Sequence, residues 1–255
     1  MEQQKVAIVT GGSLGIGAAI VRRLAREGYA VTLDYHTHND AANGIAQEIN
    51  TGGGRALVVQ ADISSVRDIA NLVTQTVSHF GRLDLLVNNA GVSRPVRHAD
   101  LDAITADDWH RILGVNVVGT WQVSVAAVKV MEPGGQIINI TSVGGSRPLG
   151  SSIPYSVSKA ALDHLTRLLA KAVGPDVRVN AIAPGPIETR LTSDSLATRA
   201  ARTGAMTPLG RLGQPSDVAA MVLALIKAPF VTGEVIHVDG GINLVTHVDA
   251  PRNDA

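Results

Sequence analysis

Short runs of aliphatic and β-branched residues recur along the chain, separated by longer stretches in which apolar positions return every three or four residues. The strand-like runs lie at 6–10, 30–34, 56–60, 83–88, 136–141, 177–182 and 235–238. The helical stretches lie at 15–27, 41–50, 66–80, 105–131, 155–173 and 215–227. Strands that alternate with helices predict crossover connections and hence a parallel sheet covered on both faces. The expectation is an α/β protein with a doubly wound, seven-stranded parallel sheet, forming one domain over residues 1–255. Helix starts are signalled by Thr105 with Asp108 three residues on, and by Ser216 within Gln-Pro-Ser-Asp.

The pattern fades in three places. Gly52-Gly53-Gly54 reads as a turn between a helix and a strand. Residues 187–213 are rich in Thr, Ser, Arg and Ala, weakly periodic and bounded by Pro-Gly-Pro and Gly-Gln-Pro, which predicts a mobile lid. Residues 245–255 are polar and read as a loosely ordered tail.

Candidate chemistry sits at the strand ends. The run Thr10-Gly11-Gly12-Ser13-Leu14-Gly15-Ile16-Gly17 joins the first strand to the first helix, where a backbone without Cβ atoms can approach a phosphate. Taken alone, the same run also reads as a glycine-rich turn with no ligand. Tyr155 and Lys159 stand four residues apart on a helix, so phenol and ammonium share one face, and Ser142 lies thirteen residues before Tyr155. A lone Tyr-x-x-x-Lys is common on exposed helix faces, and a lone serine at a strand end can simply cap a turn. In this order, together with Asn88-Asn89-Ala90-Gly91, these motifs resemble the short-chain dehydrogenase/reductase family over residues 5–244, in its ketoacyl-carrier-protein reductase and ketoreductase branch.

The resemblance implies a Rossmann fold, nicotinamide-dependent interconversion of carbonyl and alcohol, and a set of site residues. Asn116, Ser142, Tyr155 and Lys159 would be catalytic: Tyr155 as acid/base, Ser142 bonded to the substrate oxygen, Lys159 on the nicotinamide ribose and Asn116 holding a proton-relay water. An unperturbed phenol titrates near pH 10, so Tyr155 needs cations to lower its pKa, and Lys159 with the oxidised nicotinamide would supply them. An Asn inside an apolar helix needs partners, which gives a local helix distortion at Asn116 a physical purpose. Gly11, Ser13, Leu14, Gly15, Ile16 and Gly17 would hold the pyrophosphate, Asp62 and Ile63 the adenine, and Asn89, Ala90 and Gly91 the middle of the cofactor. Tyr155, Lys159, Pro184, Gly185, Ile187 and Thr189 would surround the nicotinamide end.

Selection between NAD and NADP falls on Asp34, Tyr35 and His36. The family's usual NAD-selecting acid would stand at Tyr35, its NADP-selecting arginine at His36, and its other NADP cation at Leu14. The vacant acidic position favours NADP(H), while an inward-turned Asp34 would favour NAD(H).

Composition then narrows the partners. Lys plus Arg and Asp plus Glu number 22 each, with no basic run, which argues against nucleic acid. The chain has no cysteine, so disulfides and thiolate metal sites are absent and a reducing cytoplasm is compatible. The start lacks an export-signal pattern, and apolar runs such as 219–226 are too short to span a bilayer, predicting a soluble, cytoplasmic protein. His36-Thr37-His38 lacks further ligands except Asp40, and no metal is assigned. Arg94, Arg97 and Arg147 read as surface charge, and Trp109 and Trp121 as packing residues. Ser146, Leu149, Ile153, Pro186 and Ile187 would give the substrate, a small carbonyl or alcohol, a partly apolar mouth. Family resemblance also implies a homotetramer built on the helices near 109–129 and 155–170. Two other functions remain open at this point: an NAD-dependent alcohol or sugar dehydrogenase, and a nucleotide-binding regulator without turnover.

Overall fold

A computed structural model of the chain describes residues 4–188 and 206–245. Seven parallel strands form one sheet in the order β3-β2-β1-β4-β5-β6-β7: β1 (Val6–Val9), β2 (Ala30–Tyr35), β3 (Arg55–Gln60), β4 (Leu85–Asn88), β5 (Gly135–Ile140), β6 (Val177–Pro184) and β7 (Val235–Val238). Every strand pair is parallel, so each crossover is made by helices: α1 (Gly15–Arg26), α2 (Asn39–Thr51), α3 (Val66–Phe80), α4 (Ala106–Leu113), α5 (Thr120–Val128), α6 (Ile153–Val173) and α7 (Pro215–Ile226).

Because successive side chains on a strand point to opposite faces, each strand feeds two cores. Ala7, Val9, Val31, Leu33, Leu85, Val87, Ile138 and Ile140 pack under α1, α2 and α7, meeting Ile20, Leu24, Ile45 and Val222. Ile8, Val59, Leu86, Ile137, Val177 and Val179 pack under α3, α5 and α6, meeting Ile69, Leu72, Val123 and Leu169. The strand order reverses between β1 and β4, and the crevice at the carboxyl ends of that pair is where an open α/β sheet receives a ligand. Polar side chains pin the sheet there: the buried Asn88 Nδ2 donates to Ser124 Oγ at 3.0 Å and to Asn139 Oδ1 at 2.9 Å, and Asn139 Nδ2 reaches Thr166 Oγ1 at 2.9 Å.

The structure revises the sequence expectations at several elements. The single helix expected over 105–131 is three pieces, because a π-helix at Gly114–Gly119 separates α4 from α5. Thr105 caps α4 as expected, its hydroxyl accepting from Asp108 N at 3.2 Å while the Asp108 carboxylate accepts from Thr105 N at 3.0 Å. α7 starts at Pro215 as expected, where the missing N–H is no loss, with Gln214 in place of Ser216 at the cap and Asp217 Oδ2 accepting from Gln214 N at 2.8 Å. Residues 106–128 are long and apolar enough to cross a bilayer by length and composition alone. They pack instead against α3 and α6, burying Ile112, Asn116, Val123 and Ala127.

Candidate active site

The loop from β1 to α1 is shaped by what surrounds its backbone. Gly11 and Gly15 have φ of 62° and 52°, the left-handed region that favours glycine. A Cβ on Gly17 would lie 2.2 Å from the Gly11 carbonyl oxygen, and one on Gly11 would lie 2.9 Å from Ala90 Cα, so the loop is folded against itself and against the end of β4. Asn89 Nδ2 donates to the carbonyls of Thr10 and Gly11, both at 3.0 Å, and Thr10 Oγ1 accepts from the amides of Asn89 and Ala90. Beneath the loop, the buried Asp34 carboxylate accepts from Gly11 N, and its backbone carbonyl accepts from Gly12 N at 3.1 Å. Burial raises the Asp34 pKa to about 7, opposed by the Gly11 N–H bond. No side chain caps α1 and no acid lies in its first turn, so its amides face a site prepared for negative charge. Ser13 is buried in this loop, and Leu14, at the cap position, is exposed.

Tyr35 ends β2, with His36 just beyond it. His36 Nε2 stands 3.9 Å from Asp62 Oδ2. The Ser64 amide and hydroxyl, donating to Asp62 Oδ1 at 2.8 and 2.7 Å, hold the Asp62 carboxyl below its ordinary range, with smaller help from His36. Ile63 is buried, and its carbonyl touches the π-helix: a Cβ on Gly119 would lie 2.5 Å from it. The adenosine-side residues and the distorted helix are thereby in register.

Ser142, Tyr155 and Lys159 converge at the ends of β5 and α6. Lys159 is 4% exposed, its Nζ donates to Ile140 O at 2.9 Å and lies 5.7 Å from the centroid of the Tyr155 ring. Burial lowers the Lys159 pKa to about 8, with Asp163 opposing the drop. Burial also raises the Tyr155 pKa, against a hydrogen bond with Ser142 that lowers it. The sequence expectation of a phenol made acidic by Lys159 together with the oxidised nicotinamide concerns the loaded site; in the chain itself the ammonium donates to the Ile140 carbonyl, and removal from water is the larger influence on Tyr155. Ser142 has both readings at once, since its Oγ also accepts from Gly144 N at 3.1 Å as the cap of a short 3-10 turn.

Asn116 is fully buried in the π-helix. Its Nδ2 donates to Val92 O at 3.0 Å and Ser158 Oγ at 2.9 Å, and its Oδ1 accepts from Val92 N at 2.8 Å. A Cβ on Gly91 would lie 3.2 Å from Asn116 Oδ1 and 3.6 Å from Lys159 Nζ. Asn89, Ala90 and Gly91 therefore join the halves of the site: Asn89 and Ala90 touch the glycine loop, Gly91 touches the lysine and Asn116.

On the far side of the crevice, Gly185 N donates to Val238 O at 3.0 Å, and a Cβ on Gly185 would lie 2.7 Å from Asp239 Cα, so β6 and β7 approach closely just after Pro184. Ile187 bridges to Gly213, which closes the base of the expected lid. Thr189 and most of that lid lie outside the described residues. Of the expected surface charges, Arg97 is exposed and Arg94 lies 42% exposed in a surface ion pair, whereas Arg147 is tied to backbone carbonyls. Arg94 pairs with Asp108 and donates to Ala103 O at 2.8 Å, while Arg147 clamps the carbonyls of Asn243 and Val245 at 3.0 and 2.6 Å. Trp121 is 46% exposed, an outward residue where packing was expected.

Several residues of the site carry no motif in the sequence. Ser158 receives Asn116 and donates to Tyr155 O at 2.6 Å, and Asp163 lies one helical turn beyond Lys159. Their i+3 and i+8 spacing from Tyr155 was the available signal, since it places them on or beside the face that carries the tyrosine and lysine.

Known proteins with this arrangement give it a family. A model described as enoyl-(acyl carrier protein) reductase matches residues 11–243. A Streptomyces violaceoruber protein whose name makes it a ketoacyl reductase of the granaticin polyketide synthase is 48% identical over 94% of this chain and 96% of its own. A 3-oxoacyl-[acyl-carrier-protein] reductase of Synechocystis is 36% identical, over 93% of this chain and 96% of its own. A solved short-chain dehydrogenase from Burkholderia cenocepacia, in complex with NADP, superposes with a TM-score of 0.87 at 36% identity, covering 94% of this chain and 98% of that one. With fold and sequence in agreement along nearly the whole chain, the protein belongs to the short-chain dehydrogenase/reductase family of nicotinamide-dependent oxidoreductases.

Proposed function

We propose that the protein reduces a ketone or β-keto substrate to a secondary alcohol with NADPH, using Tyr155 as proton donor. The carrying observation is the contact path from Gly11 and Gly17 through Asn89 and Gly91 to Asn116 and Lys159, which supports a reading in which the glycine loop and the helix that carries Tyr155 serve one crevice. The cradle suits a dinucleotide because side-chain atoms are excluded where its backbone must be approached. Gly11 to Gly17 would hold the pyrophosphate, Asp62 and Ile63 the adenine, and Pro184, Gly185 and Ile187 the nicotinamide end. Bound NADPH supplies the hydride. Tyr155 then gives its phenolic proton to the developing alkoxide, and Ser142, already bonded to Tyr155, steadies the same oxygen. Lys159 would bring its ammonium to within 5.7 Å of the Tyr155 ring centroid and offer hydroxyl-binding capacity toward the ribose. Burial keeps the tyrosine protonated at neutral pH, which suits reduction.

NADP is favoured over NAD because the Asp34 carboxylate is bonded to Gly11 N and buried, leaving Tyr35 and His36 at the place where a ribose 2′-group would lie. The NADP complex of the Burkholderia cenocepacia relative agrees with this. Fluorescence titration with NADPH and NADH separately tests the choice: tighter NADPH binding is expected, and equal or tighter NADH binding contradicts it. Relatives named as ketoacyl reductases favour a β-ketoacyl group as the substrate class, which a panel of ketones, β-ketoesters and sugars would resolve. The working unit in this reading is a homotetramer: Val118, Trp121, Val157 and Leu168 are exposed on the outer side of the α5 and α6 region, and Leu209 and Leu244 near the end of the chain.

A further inference from the structure

Lys159 poses an electrostatic problem that Tyr155, Ser142 and Asn116 do not solve. An ammonium withdrawn from water tends to lose its proton unless a counter-charge lies nearby. None of those three side chains carries a charge in the protonated state of the tyrosine. Asp163 does. It lies one helical turn beyond Lys159 on α6, it is 7% exposed, and its Oδ1 has no hydrogen-bond partner among the described residues. Its other oxygen presses against Gly145, where a Cβ would stand 2.7 Å from Oδ2, so glycine at 145 is what admits the carboxyl between α6 and the turn that follows Ser142.

Four neighbouring groups act on that carboxyl. From α6 come Lys159 and Arg167, from β7 comes His237, and from the end of β5 comes the Thr141 hydroxyl. His237 Nε2 in turn lies 3.1 Å from Ser146 Oγ on the same turn as Gly145. Arg167 reaches the Asp163 backbone carbonyl at 3.4 Å. Burial raises the pKa of Asp163, while these neighbours oppose the rise, and Asp163 in turn opposes the drop at Lys159.

We propose that Asp163 is a positioning residue of the reaction: a buried counter-charge that keeps Lys159 in its ammonium form and, through Lys159, sets the readiness of Tyr155 to exchange a proton. This rests on the ketoreductase reading of the site. Asp163 itself touches neither hydride nor substrate oxygen, so it acts on the pH dependence of the reaction rather than on its chemistry.

The sign follows from the charges. Replacing Asp163 by a neutral side chain removes the group that favours the ammonium, so Lys159 becomes neutral at lower pH. Without the positive charge the Tyr155 phenolate is disfavoured, so alcohol oxidation, which needs the phenolate, requires higher pH to begin. In Asp163→Asn, carbon NMR of protein labelled at lysine Cε, assigned with Lys159→Arg, should show Lys159 titrating about one pH unit below the wild-type value. The acid limb of alcohol oxidation with NADP should move upward, and Asp163→Glu should restore both toward wild type. A purely structural aspartate would lower melting temperature and the yield of folded enzyme with both titrations in place, and that result overturns the proposal. Should Asp163→Asn not fold, Asp163→Ser is read by the same NMR titration, and an unmoved Lys159 there overturns it equally. The Lys159 titration needs no turnover, whereas undiminished turnover by Tyr155→Phe would sink the ketoreductase reading, so the two failures are distinguishable.

Discussion

At Tyr155 the protein keeps a weak acid in its protonated form by taking it out of water, with the Ser142 hydrogen bond pulling the other way. Reduction with NADPH, which needs the phenol, should therefore vary little across neutral pH. Alcohol oxidation should climb as pH rises, and parallel pH–rate profiles in both directions check this. At Asp34 the same desolvation acts on a carboxyl, with a native pKa of about 7 above its ordinary value of 3.8. The folded state holds this proton more tightly than the unfolded chain. The favourable contribution is therefore complete below about pH 4 and is lost as pH rises toward 7. Asp34→Asn retains an acceptor for Gly11 N and removes the titration. Its melting temperature relative to wild type should increase between pH 4 and pH 8, and a constant difference would contradict the assignment. The importance of Asp34 to the loop was not legible in the sequence, where it competed with Tyr35 and His36 for a place at the ribose. Only the fold shows its carboxylate turned beneath Gly11.

Among the elements, the π-helix at Gly114–Gly119 is the least foreseeable, because an inserted residue leaves the apolar period of residues 105–131 almost unchanged. The one clue was Asn116, a polar residue too costly to bury without partners, and the structure provides them in Val92 and Ser158. The strands and remaining helices were legible to within a few residues because the aliphatic runs and helical period report burial on two faces, which the two cores then show. Caps were legible in part: Thr105 and the start of α7 at Pro215 were found, whereas the Ser65 hydroxyl that caps α3 was not singled out. Thr105→Ala should lower stability by about 1 kcal/mol in chemical denaturation while leaving NADPH affinity unchanged. Gly17→Ala belongs to the opposite class, since its Cβ would meet the Gly11 carbonyl at 2.2 Å and neither backbone can yield cheaply. A strain of about 1–3 kcal/mol in the cradle corresponds to roughly a tenfold to hundredfold weaker NADPH affinity, measurable by titration.

The whole molecule is electrically balanced, with 22 cationic and 22 acidic side chains, and among the described residues Val118, Trp121, Val157 and Leu168 turn apolar side chains outward around α5 and α6. Light scattering at micromolar concentration should give a tetramer, and monomers alone would contradict the assembly. The candidate site residues lie around the crevice where the strand order reverses between β1 and β4, with Asn89 and Gly91 carrying the connection from glycine loop to lysine. The most direct measurement of whether that crevice performs proton-coupled reduction is stopped-flow oxidation of NADPH by wild type and Tyr155→Phe, with a β-ketoester that wild type reduces. The substitution should leave NADPH affinity intact and slow turnover by about 10²–10⁴-fold. Turnover equal to wild type at unchanged affinity would contradict the assignment of Tyr155 and the function built on it.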